Sequence, residues 1–208
     1  MHRSAPPTTR RHATSFPWLL SSLAASALAL TACGGGDDNG PQVSNDPPQA
    51  QFLHPELAKA GQDVFRYDTF GDEAKWTDQL MMHQVIETAV DPLTAASVGL
   101  KIDAEKLPTD VVKGVLDGSI PLNDPQTTLA LISLDAVVGV KGTVSTGADK
   151  RLHLDRVGIT CALCHSTVSK DLDLPIAGTA VNLKGIVGIR QDGWPNRDLN
   201  PGAIIALS

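Results

Sequence analysis

The 208-residue sequence lacks an apolar run long enough to span a membrane as a helix. The apolar stretch near its N-terminus, FPWLLSSLAASALAL, is rich in Ser and Ala and shorter than the roughly 20 residues that a spanning helix needs. Arg3, Arg10 and Arg11 precede it, as in the positively charged start of a secretory signal peptide. The sequence therefore predicts an exported protein.

Cysteines are also few, at positions 33, 161 and 164. Cys33 ends the segment LTAC, which resembles the processing box of bacterial lipoproteins. That resemblance implies a signal peptide over residues 1–32, acylation of Cys33 and a stable lipid anchor in a membrane. A plain secretory signal with an incidental cysteine is the alternative. Lipidation would account for the odd cysteine and leave Cys161 and Cys164.

Basic residues are scarce once the signal is removed. Three of the 17 basic residues and none of the 23 acidic residues precede Cys33, so residues 33–208 carry 14 basic and 23 acidic residues, a net charge of −9. This charge argues against nucleic acid and anionic lipid as partners, and it favours a partner with a basic docking face.

The segment after Cys33, GGGDDNGPQVSNDPPQAQ, has almost no apolar residues. It cannot bury enough surface to offset its chain entropy, so residues 33–51 are predicted to be a flexible tether. Residues 52–208 are then predicted to form one domain with a core of its own.

The remaining cysteines belong to Cys161-Ala-Leu-Cys164-His165, the C-x-x-C-H pattern of covalent c-type haem attachment. Cysteines at i and i+3 lie on one side of a helical turn, where both sulfurs can reach two vinyl groups at one edge of a haem. His165 can then approach the iron as the proximal ligand. Two other hypotheses are a C-x-x-C thiol/disulfide pair and a zinc site completed by His153, His83 or His54.

Three stretches carry a wider resemblance: GQDVFRYDTFGDEAKWTDQLMMHQVI, CALCHSTV and DGWPNRDLNPGAI. They are similar to bacterial multi-domain cytochromes related to the di-haem cytochrome c peroxidase superfamily. The resemblance implies one haem c in this chain, held by Cys161, Cys164 and His165. Members of that group usually continue to a second C-x-x-C-H. The apolar run that ends at Ser208 leads us to expect a fragment of a longer protein.

The second axial ligand of the iron is less clearly indicated. The sequence has no methionine after Met82, so a downstream methionine ligand is excluded within the chain. His83, on a predicted helical face with Trp76 and Leu80, is the first candidate, and Met81 or Met82 is the alternative. His153 and His54 are weaker candidates, and an open iron would indicate peroxide chemistry. The candidate donors to haem propionates are Arg66, Arg190, Arg197 and Trp194.

The fold is predicted to be mainly α: a cytochrome c-like haem domain with an inserted β-hairpin. Hydrophobic periodicity and start signals predict helices over 54–66, 72–89, 107–118, 123–134 and 200–208, and a short one opening at Cys161. The stretch 136–160 is predicted to be the hairpin, and 179–194 a further pair of short strands.

Three functions are compatible with these patterns. The first is an electron carrier, lipid-anchored on the periplasmic side of a bacterial membrane, that exchanges single electrons with a basic redox partner. The second is the haem domain of a di-haem peroxidase-like oxidoreductase. The third is a thiol/disulfide or structural lipoprotein without haem.

Overall fold

The computed structural model describes residues 54–207, of which about 39% are helical and 19% lie in strands. The helices are α1 (Pro55–Tyr67), α2 (Glu73–Trp76), α3 (Met82–Ala89), α4 (Pro92–Ser97), α5 (Thr109–Leu116), α6 (Pro125–Ser133), α7 (Ala162–His165) and α8 (Pro201–Ile205), with a 3₁₀ turn at Ala104–Lys106. The strands are β1 (Ile102–Asp103), β2 (Val140–Thr146), β3 (Leu152–Ile159), β4 (Ser166–Val168), β5 (Val187–Gly188) and β6 (Arg190–Asp192).

The prediction of a mainly α domain is wrong, because the described residues form a mixture of helices and three small sheets. Strands β1 and β5 pair in parallel, while β4 and β6 pair antiparallel. Both pairs join segments that are far apart in the chain, so no local hairpin pattern in the sequence predicts them. The strands predicted in 179–194 exist as β5 and β6, but each pairs with an earlier strand and not with the other.

The predicted β-hairpin is present as β2 and β3. Val140 pairs with Ile159 at one end of the hairpin and Thr146 with Leu152 at the other, with an irregularity between Thr143 and Val144. Leu154 and Val157 of β3 are buried in the main core. The hairpin therefore forms one wall of the domain and ends two residues before Cys161.

Helix α6 lies at the centre of the main core. Asp124 caps it by accepting a hydrogen bond from the Gln126 N–H, and Pro125 occupies its first turn, as the sequence predicts. Leu129 and Ile132 are buried against the hairpin and α3.

The single helix predicted over 72–89 is two helices, α2 and α3, separated at Met81. Met81 adopts a left-handed backbone with φ of 52°, which a continuing α-helix excludes. Just before this break, the Thr77 hydroxyl accepts a hydrogen bond from the Val157 N–H at 2.9 Å and donates one to the Val157 carbonyl at 3.0 Å. These two bonds fasten the connecting turn to β3.

The other predicted helices begin and end close to their expected positions, and Asn200 caps α8 through the Ala203 N–H. The helix predicted to open at Cys161 is α7, and the chain turns directly from it into β4. Within residues 54–207, none of the helices has the length and apolar content needed to cross a bilayer.

Candidate functional site

The C-x-x-C-H pattern forms the short helix α7 and its N-cap, which together we call the attachment turn (residues 161–165). Cys161, Cys164 and His165 are all exposed, whereas Ala162 and Leu163 between them are 0% and 6% exposed. Positions i, i+3 and i+4 share one face of a helical turn, so both thiols and the imidazole are presented together on the solvent side. Both cysteines are free.

The buried side of the attachment turn is held by the segment that precedes the hairpin. Ala162 packs with Val138, Val168 and Phe65 in a second small core. Gly139 has a φ of +78°, and a Cβ added to it would overlap the backbone of Leu163. Only glycine allows this close approach.

The loop after β6, Gly193–Leu199, closes over the exposed end of the attachment turn. The Gly193 N–H donates to the His165 carbonyl and the Asn196 N–H to the Cys164 carbonyl, each at 2.9 Å. These bonds satisfy two of the carbonyls that the end of a helix leaves without intrahelical partners. The loop thereby fixes Cys164, which would bond to the haem edge, and His165, which would bind the iron.

This loop is itself anchored to the segment before β1. The Asn196 side chain donates to the Gly99 carbonyl at 2.8 Å, and the Lys101 ammonium pairs with Asp198 at 2.6 Å. Lys101 is buried, and its ammonium also donates to the Gly185 carbonyl at 2.8 Å. Its charge holds the pKa of Asp198 below the ordinary value.

A polar cluster around Asp192 ties helix α1 to the strand that follows the attachment turn. The Asp192 carboxylate accepts hydrogen bonds from Arg66 at 2.6 Å, Ser166 at 2.8 Å and Gln62 at 3.1 Å. Burial tends to raise the pKa of Asp192, but these three donors outweigh it and hold the pKa below its ordinary value.

An apolar cavity of about 280 Å³ lies beside the attachment turn. Cys164 and Leu163 form part of its wall, and α2 and α3 contribute Trp76, Met82 and Ile86. Further aliphatic residues come from the hairpin, from α8, from the segment between α3 and β1, and from the loop after β6. At this size it lies just below the range of about 300–1,000 Å³ that is typical of ligand pockets.

His83 is the second residue of α3. It is absent from the cavity lining among the described residues, and its Nδ1 is buried without a hydrogen bond. Its nearest charged neighbour in the helix is Glu87, whose carboxylate contacts His153 Nδ1 at 2.9 Å and accepts from the Leu154 N–H at 3.0 Å. The Leu154 N–H and His153 both lower the pKa of Glu87, although burial opposes them. The structure thus does not bring His83 into the wall that carries Cys164.

The candidate propionate donors occupy unlike surroundings. Arg66 is paired with Asp192, while Arg190 is almost fully buried and lies 3.3 Å from the carboxylate of the equally buried Asp103. Arg197 and Trp194 are exposed on the loop that closes over the attachment turn. Of the four, these two are therefore the ones accessible to a ligand at the exposed face.

The attachment turn meets the chemical requirements of covalent haem, with two free thiols and an imidazole on one face and an apolar cavity at its edge. Within residues 54–207, no group of three or more His, Cys, Asp or Glu side chains converges as a metal site. That finding does not bear on haem, whose iron takes only its axial ligands from the protein. Cys33 lies outside the described residues, as do the predicted signal peptide and tether.

Sequence reasoning identified the attachment turn but missed the residues that position it. Asn196 and Asp192 belong to the stretch that carries the family resemblance, which is the one signal that pointed to them. No sequence pattern marks Gly139 as important, because its role depends on contact with Leu163, 24 positions later.

Comparison of the chain with protein-family models, curated proteins and solved structures finds no match.

Proposed function

We propose that this protein binds one haem covalently at the attachment turn and carries single electrons on the periplasmic side of a bacterial membrane. In attachment, the S–H groups of Cys161 and Cys164 each add across one vinyl C=C bond, so two thioethers form and nothing leaves. His165 binds the iron as the proximal ligand. When bound, haem supplies an iron that accepts and releases one electron.

One observation carries the proposal: Cys161, Cys164 and His165 share the exposed face of α7 while Ala162 and Leu163 anchor its other face. Haem attachment requires thiols that are free, accessible and on the same side as the imidazole. A buried structural cysteine pair would instead direct its sulfurs into the core.

The surrounding residues support a rigid attachment site. The carbonyls of Cys164 and His165 are fixed by the Gly193–Leu199 loop, and Asp192 ties the following strand to α1. A rigid site suits electron transfer, since little rearrangement then accompanies the change in iron charge. The expected partner is a redox protein with a basic docking face, because residues 33–208 carry 23 acidic and 14 basic residues.

The test is production of the full chain together with cytochrome c maturation machinery. We expect covalent haem that survives a denaturing gel, and a c-type α-band on reduction with dithionite. The C161A/C164A double variant should lose covalent haem, and His165→Ala should lose the normal spectrum. His54→Ala, an exposed histidine outside the site, is the matched control and should leave both unchanged. A wild-type protein without covalent haem would refute the proposal and leave a thiol pair at 161 and 164.

The anchoring part of the proposal has a separate test. The wild-type protein should incorporate radiolabelled palmitate and be found in the membrane fraction, and Cys33→Ser should lose the label while the haem spectrum persists. If the wild-type protein is itself recovered in the soluble fraction, Cys33 is not lipidated.

A further inference from the structure

We propose that a second apolar cavity, which we call the aliphatic cavity, binds one uncharged hydrocarbon molecule of about ten carbon atoms. The aliphatic cavity has a volume of about 270 Å³ and lies between α4, α5 and the segment 172–187. It shares no lining residue with the cavity beside Cys164. The proposal therefore does not depend on haem, and the site is additional to the attachment turn.

The wall of the aliphatic cavity consists of hydrocarbon side chains. The described residues that line it are all Ala, Val, Leu, Ile or Pro, among them Leu93 of α4, Val111 and Val115 of α5, and Leu174 and Leu183 of the segment 172–187. None of these side chains can donate or accept a hydrogen bond. A buried water needs polar partners, so a cavity with such a wall stays dry and favours an apolar ligand. A charged molecule would lose its hydration there without replacement.

The presence of a cavity of this volume itself indicates a ligand. Protein cores contain few voids larger than a water molecule, and an unfilled cavity lowers stability in proportion to its volume. The aliphatic cavity adjoins a third small core of Ile176, Leu183 and Val187, of which the last two also line it. Ala96 and Ala104 line it too, and larger side chains at these positions would fill part of it. A bound hydrocarbon would supply the contacts that these small side chains leave unmade.

The volume of the cavity sets the size of the ligand. An apolar protein cavity of about 150 Å³ lined by similar side chains binds benzene, which has six carbon atoms. In proportion, the 270 Å³ of the aliphatic cavity corresponds to a molecule of roughly ten carbon atoms. Naphthalene, an uncharged molecule of ten carbon atoms, is therefore a suitable probe.

The segment 172–187 forms the side of the cavity through which a ligand can enter. Most of this segment lies outside helices and strands. A backbone hydrogen bond from the Ala177 N–H to the Leu116 carbonyl, at 3.0 Å, joins it to α5, and one from the Leu183 N–H to the Leu174 carbonyl, at 3.1 Å, joins its two halves. Irregular segments open locally at a lower cost than packed helices, so this segment gives a ligand access without unfolding of the domain.

The experiment titrates the full chain with naphthalene and, separately, with 2-naphthoate, which adds a carboxylate to the same ring system. Methyl NMR detects binding, because the aromatic ring of a bound molecule shifts the resonances of the methyl groups around it. Two variants are compared with the wild type. Ala104→Leu places a larger side chain on the cavity wall, and Ala58→Leu makes the same change at an exposed position on α1. Circular dichroism checks that both variants fold.

We expect naphthalene to shift the methyl resonances of Val111, Val115 and Leu174 and to raise the urea midpoint of unfolding, whereas 2-naphthoate should do neither. Ala104→Leu should weaken naphthalene binding by about tenfold or more, because the added side chain clashes with the ligand. Ala58→Leu should bind naphthalene as the wild type does. If Ala104→Leu does not fold, the comparison of the two probes on the wild-type protein decides the question alone.

Any of four results would overturn the inference. The first is a wild-type protein that shows no saturable binding of naphthalene, and the second is equal binding of 2-naphthoate. The third is a set of shifts confined to the methyl groups of Met82 and Ile204, which would place the probe in the cavity beside Cys164. The fourth is a folded Ala104→Leu protein with unchanged affinity. None of these results bears on haem attachment, which the covalent haem test measures separately.

Discussion

At the scale of single residues, the attachment turn depends on a glycine that carries no functional group. Gly139 combines a positive φ of +78° with a close approach to the Leu163 backbone. A side chain there meets two obstacles at once, an unfavourable backbone conformation and an overlap with the turn that holds the two cysteines. Gly139 is therefore the residue whose substitution reports most directly on how the attachment turn is positioned.

We predict that Gly139→Ala lowers the free energy of unfolding by about 2–4 kcal/mol and reduces the yield of covalent haem. Left-handed alanine accounts for about 1–2 kcal/mol of the loss, and the overlap with Leu163 for the remainder. The measurement is urea unfolding followed by circular dichroism.

Gly118 provides the matched control for this substitution. It has the same φ of +78°, but a Cβ added there meets nothing within 4 Å. Gly118→Ala should lower the free energy of unfolding only by the cost of left-handed alanine, about 1–2 kcal/mol, and should leave the haem yield unchanged. Equal losses at the two positions would show that the contact with Leu163 is unimportant.

The residues of the site differ in how far the sequence could predict them. Cys161, Cys164 and His165 are recognisable because their chemistry depends on a spacing of three and four residues, which a helical turn converts directly into a shared face. Gly139 is not recognisable because one glycine among 18 has no pattern of its own. Its role exists only once the hairpin has brought it against Leu163.

At the scale of secondary-structure elements, the sequence predicts correctly those elements that have local signals. It mispredicts those whose structure depends on contacts between distant residues. Helix α6 was predictable because Asp124 and Pro125 mark its start and its apolar residues follow. The break at Met81 was not, because the hydrogen bonds between Thr77 and Val157 that fasten this turn join residues 80 positions apart. Hydrophobic periodicity continues through the break, so the pattern predicted one helix.

The clearest link between elements is the Asp192 carboxylate, which joins β6 to α1 and to β4. We predict that Asp192→Asn lowers the free energy of unfolding at neutral pH by about 1–3 kcal/mol, because Arg66 and Ser166 lose a charged acceptor in a half-buried site. Asp63→Asn, which breaks an exposed pair between Lys59 and Asp63 on α1, should change it by less than about 0.5 kcal/mol.

This link also has a defined pH dependence. The pKa of Asp192 is lower in the folded protein than in the unfolded chain. Its ionised carboxylate therefore adds to the free energy of unfolding above the unfolded-state pKa of about 4, and this addition is lost as the pH falls through the lower folded-state pKa. The stability difference between wild type and Asp192→Asn, measured by urea unfolding, should therefore shrink as the pH falls below about 4. A difference that stays constant down to pH 2 would show that the carboxylate charge does not contribute.

At the scale of the whole molecule, the mixture of helices and small sheets follows from pairing between distant segments. Strand β1 lies beside β5, which is 85 residues later, in the register Ile102 to Val187. Two- and three-residue strands of this kind carry too little sequence pattern to be predicted, and they exist because the cores around them bring the segments together. The hairpin was predictable because its two strands are adjacent in the chain.

The net charge of the whole molecule makes a prediction about electron exchange that is independent of any single residue. Residues 33–208 carry 23 acidic and 14 basic residues, so approach of a cation is favoured and approach of an anion is opposed. We expect oxidation of the dithionite-reduced holoprotein by a cationic ruthenium ammine complex to slow as salt is raised, and oxidation by anionic ferricyanide to accelerate. Each rate should change by about tenfold between low salt and 0.5 M, where the screening length is only a few ångströms. Stopped-flow absorbance of the haem band gives both rates on the same protein, and comparing each oxidant only with itself removes the difference in their redox potentials.

If both rates were insensitive to salt, the acidic residues would not surround the site of electron exchange, and the expectation of a basic redox partner would have to be abandoned. If both fell together, salt would be acting on the protein itself and not on the charge of the encounter.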